Sequence, residues 1–117
     1  MNKSLLALLA LCLAQLVFAQ NNWYVTIRNN DNSKYRHLAA PRGYRFCYCL
    51  SKTQTATIDG RIGGNVKLFS RSDCKGSFSD GSDKITNNAQ WVNSVSFGVA
   101  NMDSEFGGGD QCNQYAV

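Results

Sequence analysis

The chain has 117 residues, five cysteines and a formal net charge of +4. Its length leaves room for one domain. The only long apolar run, residues 5–18, is too short for a comfortable transmembrane helix. Length and composition therefore argue against a multidomain or a membrane-spanning protein.

Residues 1–19 have the pattern of a secretory signal peptide. Lys3 supplies a positive start, the apolar run follows, and Val17 and Ala19 place small residues where a signal peptidase reads them. Cleavage there removes Lys3 and Cys12, so the mature chain keeps four cysteines and a charge of +3. We expect a soluble protein that is secreted or held in the endomembrane lumen. Secretion argues against a nucleic-acid partner.

The mature sequence predicts an all-β domain. Short apolar stretches alternate with turn signals such as "NNDNS", "PRG" and "SDGSD", and no stretch has a helical pattern. Strands are predicted at residues 23–28, 35–39, 44–51, 55–58, 65–70, 76–79 and 93–100. Several short strands indicate a sandwich or a barrel. We assign residues 20–100 to this domain and residues 101–117 to a flexible, glycine-rich acidic tail, which we expect a disulfide through Cys112 to tether.

The mature chain contains a weak internal repeat. In "NVKLFSRSDCKGSFSDGS…WVNSVSFG" an apolar strand, a glycine-containing turn, a polar strand and a closing segment follow one another. The first half, "WYVTIRNNDNSKYRHL…TATIDG", has a comparable order. A unit of about forty residues cannot close a core alone, so the two units are expected to pack together.

Residues 65–98 resemble the Greek-key motif of the βγ-crystallins. That motif has an aromatic residue, a second aromatic five positions later and a glycine two further on. Phe69 and Gly76 fit, and Cys74 stands where the second aromatic usually lies. Trp91 and the residues after it look like the loop that closes each motif. The resemblance, to small secreted microbial or fungal members, implies two Greek keys in a small sandwich. A different disulfide-bonded sandwich is the alternative.

The resemblance also implies a calcium loop, because many βγ-crystallins bind Ca²⁺ there. Carried onto this chain, Asn93 would offer its carbonyl and Ser96 its hydroxyl. Phe97 stands where the family has a serine, and the carboxylate that Ca²⁺ prefers is missing. The acids Asp80 and Asp83 are explained more simply as a solvated turn. We expect no cofactor, and a loop that has lost calcium.

The four cysteines of the mature chain indicate a disulfide framework. Cys47 and Cys49 lie roughly 6.6 Å apart along an extended strand and cannot easily bond to each other. Their partners are therefore Cys74 and Cys112, in either of two pairings, or cysteines of another molecule.

In "RFCYCL" the period of two separates two sets of side chains. Phe46, Tyr48 and Leu50 share the face that is expected in the core. The other face holds Arg45, Cys47, Cys49 and Ser51. The cysteines are predicted to point outward or to lie under the tail. Our hypothesis is that at least one of their disulfides joins two neighbouring protomers.

Basic residues concentrate in the first half of the mature chain. Residues 20–52 contain six bases and a single acid, whereas residues 53–117 contain five bases and seven acids. We predict a basic face made of Arg28, Lys34, Arg36, Arg42 and Arg45. Such a face suits an anionic cell-wall polymer or membrane surface, or the acidic part of a neighbouring copy. Two ordinary solvated faces are the alternative.

His37 is the only histidine of the chain, and "YRHLA" contains no nucleophile motif. We predict that the protein is not an enzyme. The first hypothesis for its function is a secreted or endomembrane structural protein that self-associates into a coat, matrix or dense protein body. The alternatives are a cationic antimicrobial or killer-toxin-like binder and, third, a protease inhibitor.

Overall fold

The computed structural model of the protein describes residues 22–31, 33–51 and 53–106, without the side chains of residues 105 and 106. These residues form β-strands and one short 3-10 helix but no α-helix, which confirms the all-β prediction. The strands are β1 (Asn22–Asn29), β2 (Tyr35–Pro41), β3 (Arg45–Cys49), β4 (Thr55–Ile62), β5 (Asn65–Phe69), β6 (Phe78–Asp80), β7 (Ile85–Thr86), β8 (Ser94–Gly98) and β9 (Glu105–Phe106).

Each of the predicted strands overlaps an observed one. The sequence did not predict β7, β9 or the 3-10 helix Ala89–Trp91. In the described part of the predicted tail, residues 101–106, β9 pairs in parallel with β3; the flexibility of the tail stays a prediction. Elements of two or three residues are too short to show a period in the sequence, so only their tertiary partners define them.

The strands form two sheets, in the orders β2-β1-β4-β7 and β6-β5-β8-β3-β9. The chain thus contains two units, β1–β4 and β5–β8. Each sheet begins with the second, first and fourth strands of one unit and continues with the third strand of the other. The third strand of each unit, β3 or β7, therefore belongs to the sheet formed mainly by the other unit, so neither unit forms a complete sheet alone.

The core lies between the inner faces of the two sheets. Alternate side chains enter it, as the period of two requires: Val25 and Ile27 from β1 have counterparts in Val66 and Leu68 from β5. Burial of each such side chain contributes about 1.5 to 3 kcal/mol. The remaining buried members of this cluster are Leu38, Ala40, Tyr48, Leu50, Ile58, Ala89, Val92, Val95 and Phe97.

Strand β3 is buried on both faces. Arg45, Cys47 and Cys49 are exposed by only 1%, 0% and 3%, so this face does not meet solvent. Of the two predicted alternatives, exposure is wrong and a covered position applies. The turn between β5 and β6 and residues 102–104 lie against the outer face of the second sheet. The sulfur of Cys49 contacts the Ser72 carbonyl, for example. The apolar face follows the expected pattern, with Tyr48 and Leu50 in the core and Phe46 packed at its edge.

Candidate functional site

The buried face of β3 carries an intrachain disulfide. Cys47 bonds Cys74, with 6.1 Å between their Cα atoms. Of the two predicted pairings, this is the one that joins Cys47 to Cys74. Cys49 is also disulfide-bonded, whereas Cys112 lies outside the described residues. The bridge joins a strand of the first unit to a turn of the second.

Hydrogen bonds from residues at the beginning of β8 hold the turn that carries Cys74. The buried hydroxyl of Ser94 accepts a 2.9 Å hydrogen bond from the Cys74 amide and donates to the carbonyl of Arg71. The Asn93 side chain donates to the Ser70 carbonyl at 2.7 Å. Cys74 itself has a left-handed backbone, with φ of 56°. These hydrogen bonds hold the turn against the outer face of the second sheet.

Arg45 lies beneath this cover with its guanidinium bonded to neutral groups. Its Nε donates to the Ser96 hydroxyl at 2.7 Å, and its Nη2 donates to the Ser96 carbonyl at 3.2 Å. Its Nη1 donates to the Asn65 amide oxygen at 2.9 Å and to the Val99 carbonyl at 3.1 Å. Burial lowers the pKa of this guanidinium. Arg45 therefore ties β3 to β5, β8 and the turn after β8.

A cavity of about 370 Å³ opens between this sheet face, the turn and residues 102–104. Its walls include the cations Arg45, Lys67 and Lys75, the acids Asp73 and Asp103, and the hydroxyls of two serines, Ser96 and Ser104. Their formal charges leave the lining with one excess positive charge. The sequence prediction missed Lys67, Lys75 and Ser104, because only the fold brings them to Arg45.

The oxygens of both weak calcium candidates already take part in hydrogen bonds within the protein. The Ser96 hydroxyl accepts from the Arg45 guanidinium and bonds the Ser104 hydroxyl at 2.5 Å. Asn93 binds the turn through its side chain and accepts at its carbonyl from the Leu50 amide at 2.7 Å. A guanidinium next to Ser96 repels a cation at that position. In the described parts of the chain, no group of three or more His, Cys, Asp or Glu residues is placed to hold a metal ion.

The predicted basic face is divided in the structure. Arg28, Lys34 and Arg36 are exposed and lie around the β1–β2 hairpin; we call these three residues the hairpin cluster. Arg42 lies at the other end of β2, with its guanidinium 3.9 Å from the Trp23 ring centroid. Arg45 is buried. The prediction that all five form one face is therefore wrong, because β2 separates Arg42 from the hairpin and the turn covers Arg45.

His37 lies on the exposed outer face of the first sheet. Its Nδ1 is 2.7 Å from the Thr26 hydroxyl, and its ring meets Tyr35 edge-on at 5.1 Å between centroids. These contacts are those of a surface strand histidine. The prediction that the protein is not an enzyme stays a prediction.

Comparison with known proteins finds no family model, no curated protein and no solved structure that matches the chain. Within the residues that the structure describes, no helix has the length and apolar character needed to cross a membrane.

Proposed function

We propose that the two units are Greek keys of the βγ-crystallin type. Two observations support this. The strand order of each sheet repeats, with the third strands exchanged between the units. In the second unit, Gly76 of the Phe69–Cys74–Gly76 pattern has a φ of 87°, the conformation for which the resemblance requires a glycine.

We propose further that the protein is a secreted, non-enzymatic binder that holds an anionic surface through the hairpin cluster. The observation that carries this proposal is the concentration of three exposed cations on one two-stranded hairpin. Asp31 is the single acid at the described positions of this hairpin, residues 22–31 and 33–41. The Arg28 guanidinium also lies 5.2 Å from the Tyr35 ring centroid, which limits its motion and keeps it on the sheet face.

Self-association into a coat or protein body becomes the second hypothesis. It drew its main support from outward-facing cysteines, and Cys47 and Cys49 are buried. Cys47 is also bonded within its own chain. The charge difference between the two halves of the chain remains compatible with either hypothesis.

The test is binding of the mature protein to vesicles of neutral phosphatidylcholine, with and without anionic phosphatidylglycerol, and to an acidic polysaccharide. A triple variant, Arg28→Ser, Lys34→Ser and Arg36→Ser, is compared with Arg61→Ser, Arg71→Ser and Lys84→Ser, which removes the same charge elsewhere. We expect the hairpin variant to lose at least about tenfold in affinity and the control variant to lose much less, with binding weakened by salt.

Two results contradict this proposal. Equal losses in both triple variants would mean that only net charge acts, without a defined site. No binding by the wild-type protein, together with reversible oligomers in analytical ultracentrifugation, would favour the self-association hypothesis instead.

A further inference from the structure

The cavity on the second sheet contains a buried cation that forms no ion pair with any described side chain. Arg45 is 1% exposed, and each of its hydrogen-bond acceptors is neutral. The ion pairs between described residues are Arg61–Asp59 and Arg71–Asp73, so Arg45 has no carboxylate counter-ion there. A buried cation without a counter-ion is costly, and an anion held beside it lowers that cost.

The other charges of the lining favour an anion as well. Lys67 and Lys75 approach the cavity from β5 and from the turn. The Lys67 ammonium rests over the Phe78 ring at 4.6 Å from its centroid and takes part in neither ion pair. Of the two acids, Asp73 is already neutralised by Arg71 at 2.9 Å. Asp103 is then the single uncompensated acid among the lining residues, against three cations.

We propose that this cavity binds the phosphate or sulfate group of a small molecule, with Arg45 behind the group and Lys67, Lys75 and the Ser104 hydroxyl around it. The site lies apart from the hairpin cluster and does not depend on the proposed surface binding.

The donor geometry distinguishes a tetrahedral oxyanion from a planar carboxylate. Arg45 has already committed Nε, Nη1 and one bond of Nη2 to the protein, so four of its five N–H groups are occupied. It cannot offer the two parallel N–H groups that clamp a carboxylate. The two ammonium groups act as point charges from different directions, which suits the spread oxygens of a phosphate or sulfate. The volume, about 370 Å³, lies in the range of small-molecule sites and exceeds the size of a bare ion.

The test is a nuclear magnetic resonance titration of the mature protein, with its disulfides intact. Inorganic phosphate, inorganic sulfate and a sugar phosphate are added at constant ionic strength, which is balanced with sodium chloride. We expect saturable shifts of the Arg45 Nε–H and of the amides of Lys75 and Ser104. The sugar phosphate should bind more tightly than phosphate alone, because the cavity has room for the sugar.

Variants at the rim avoid disturbing the buried network. The double variant Lys67→Met and Lys75→Met should weaken phosphate binding by at least about tenfold, since both charge-assisted contacts are lost. Lys84→Met, in the turn before β7, should leave it within about twofold of wild type. Phosphate should also raise the unfolding temperature of the wild-type protein above its value in chloride. The rise should be smaller in the double variant, where only the general stabilising effect of phosphate as a salt remains.

Three outcomes overturn the proposal: no saturable shift, equal shifts in chloride, or equal losses in the double variant and in Lys84→Met. The first would mean that Arg45 only cross-links the strands. The hairpin triple variant separates this proposal from the proposed function, because it should keep phosphate binding while losing vesicle binding.

Discussion

The two units share a strand order but treat the turn after their first strand differently. In the first unit this turn connects β1 and β2 and stands in solvent. Its local support is the Asn29 side chain, which accepts from the amides of Ser33 and Lys34 at 3.1 and 3.3 Å. In the second unit the corresponding turn folds back over the sheet and is bonded to it through Cys74.

The register shows that these turns start from equivalent positions. Asn29, the last residue of β1, pairs with Thr55 at the start of the fourth strand of its unit. Phe69, the last residue of β5, pairs with Ser94 in the same way. A polar residue at this position caps an open hairpin, whereas Phe69 packs on Phe78 with 5.8 Å between ring centroids. The difference between Asn29 and Phe69 at this equivalent position thus accompanies two different turn conformations.

The consequence is a division of roles between two similar units. The first exposes three of its cations, those of the hairpin cluster. The second encloses Arg45 under a covering turn and forms a cavity. Because β3 belongs to the first unit and lies in the second sheet, the disulfide also ties the two halves of the sequence together.

Breaking the disulfide should have the largest effect. Cys47 and Cys74 are 27 residues apart, and closing a loop of this length stabilises the fold by about 3 to 4 kcal/mol in the chain-entropy description. The double variant Cys47→Ala and Cys74→Ala should therefore lose about that much in the free energy of unfolding, as measured by urea denaturation.

The double cysteine variant should be destabilised in both sheets, because the disulfide joins the two units. Hydrogen exchange of the buried β1 amides should accelerate together with that of β5 and β8. A loss below about 1 kcal/mol, or faster exchange confined to the turn, would show that the exchanged strands alone hold the units together.

Ser94 and Thr55 provide a smaller, matched comparison. The Ser94 hydroxyl serves two backbone groups of the covering turn, the Cys74 amide and the Arg71 carbonyl. Ser94→Ala leaves both without this partner and should cost about 1 to 3 kcal/mol. The Thr55 hydroxyl contacts the Thr53 hydroxyl, which also donates to the Leu50 carbonyl. Thr55→Val should therefore cost less than about 1 kcal/mol.

Thermal and urea unfolding of both variants would measure this difference. Equal losses would show that the second unit's turn does not depend on the buried hydroxyl. Preserved stability with a more reducible Cys47–Cys74 bond in Ser94→Ala would place the role of the hydroxyl in shielding the disulfide.

The sequence predicts the strands well, but it does not predict which segments lie over the outer face of β3. The reason is physical. Alternation of apolar and polar residues is local, so segments such as "NVKLF" indicate a strand with a defined inner face. In "RFCYCL" the same rule sends Arg45 and the cysteines outward. They are buried because the turn between β5 and β6, residues 70–77, and residues 102–104 lie over them. No local pattern encodes that contact, and the spacing of the cysteines left two pairings open.

The smallest effect concerns acid stability of the open hairpin. Asp31 accepts hydrogen bonds from the Ser33 amide at 2.8 Å and from the Ser33 hydroxyl at 2.5 Å. These bonds, the hydroxyl contribution first, hold the pKa of the Asp31 carboxyl below its ordinary value. In the second unit the pKa of Asp80 is lowered in a similar way by the Ser82 amide. Each ionised carboxylate thus supports its own turn.

The sign of the effect follows from the lowered pKa. The stabilisation is fully present above the ordinary pKa of an aspartate, about 4, and is lost as the pH falls through the lower pKa of the folded state. Asp31→Asn and Asp80→Asn should each make the urea midpoint less sensitive to pH below about 4, and Ser33→Ala should give an intermediate curve. Because both carboxylates are exposed, the change should be small. If the urea midpoint of Asp31→Asn falls with pH below about 4 as it does in the wild type, the turn does not require the Ser33 contacts. Asn29 would then be the group that shapes the open hairpin.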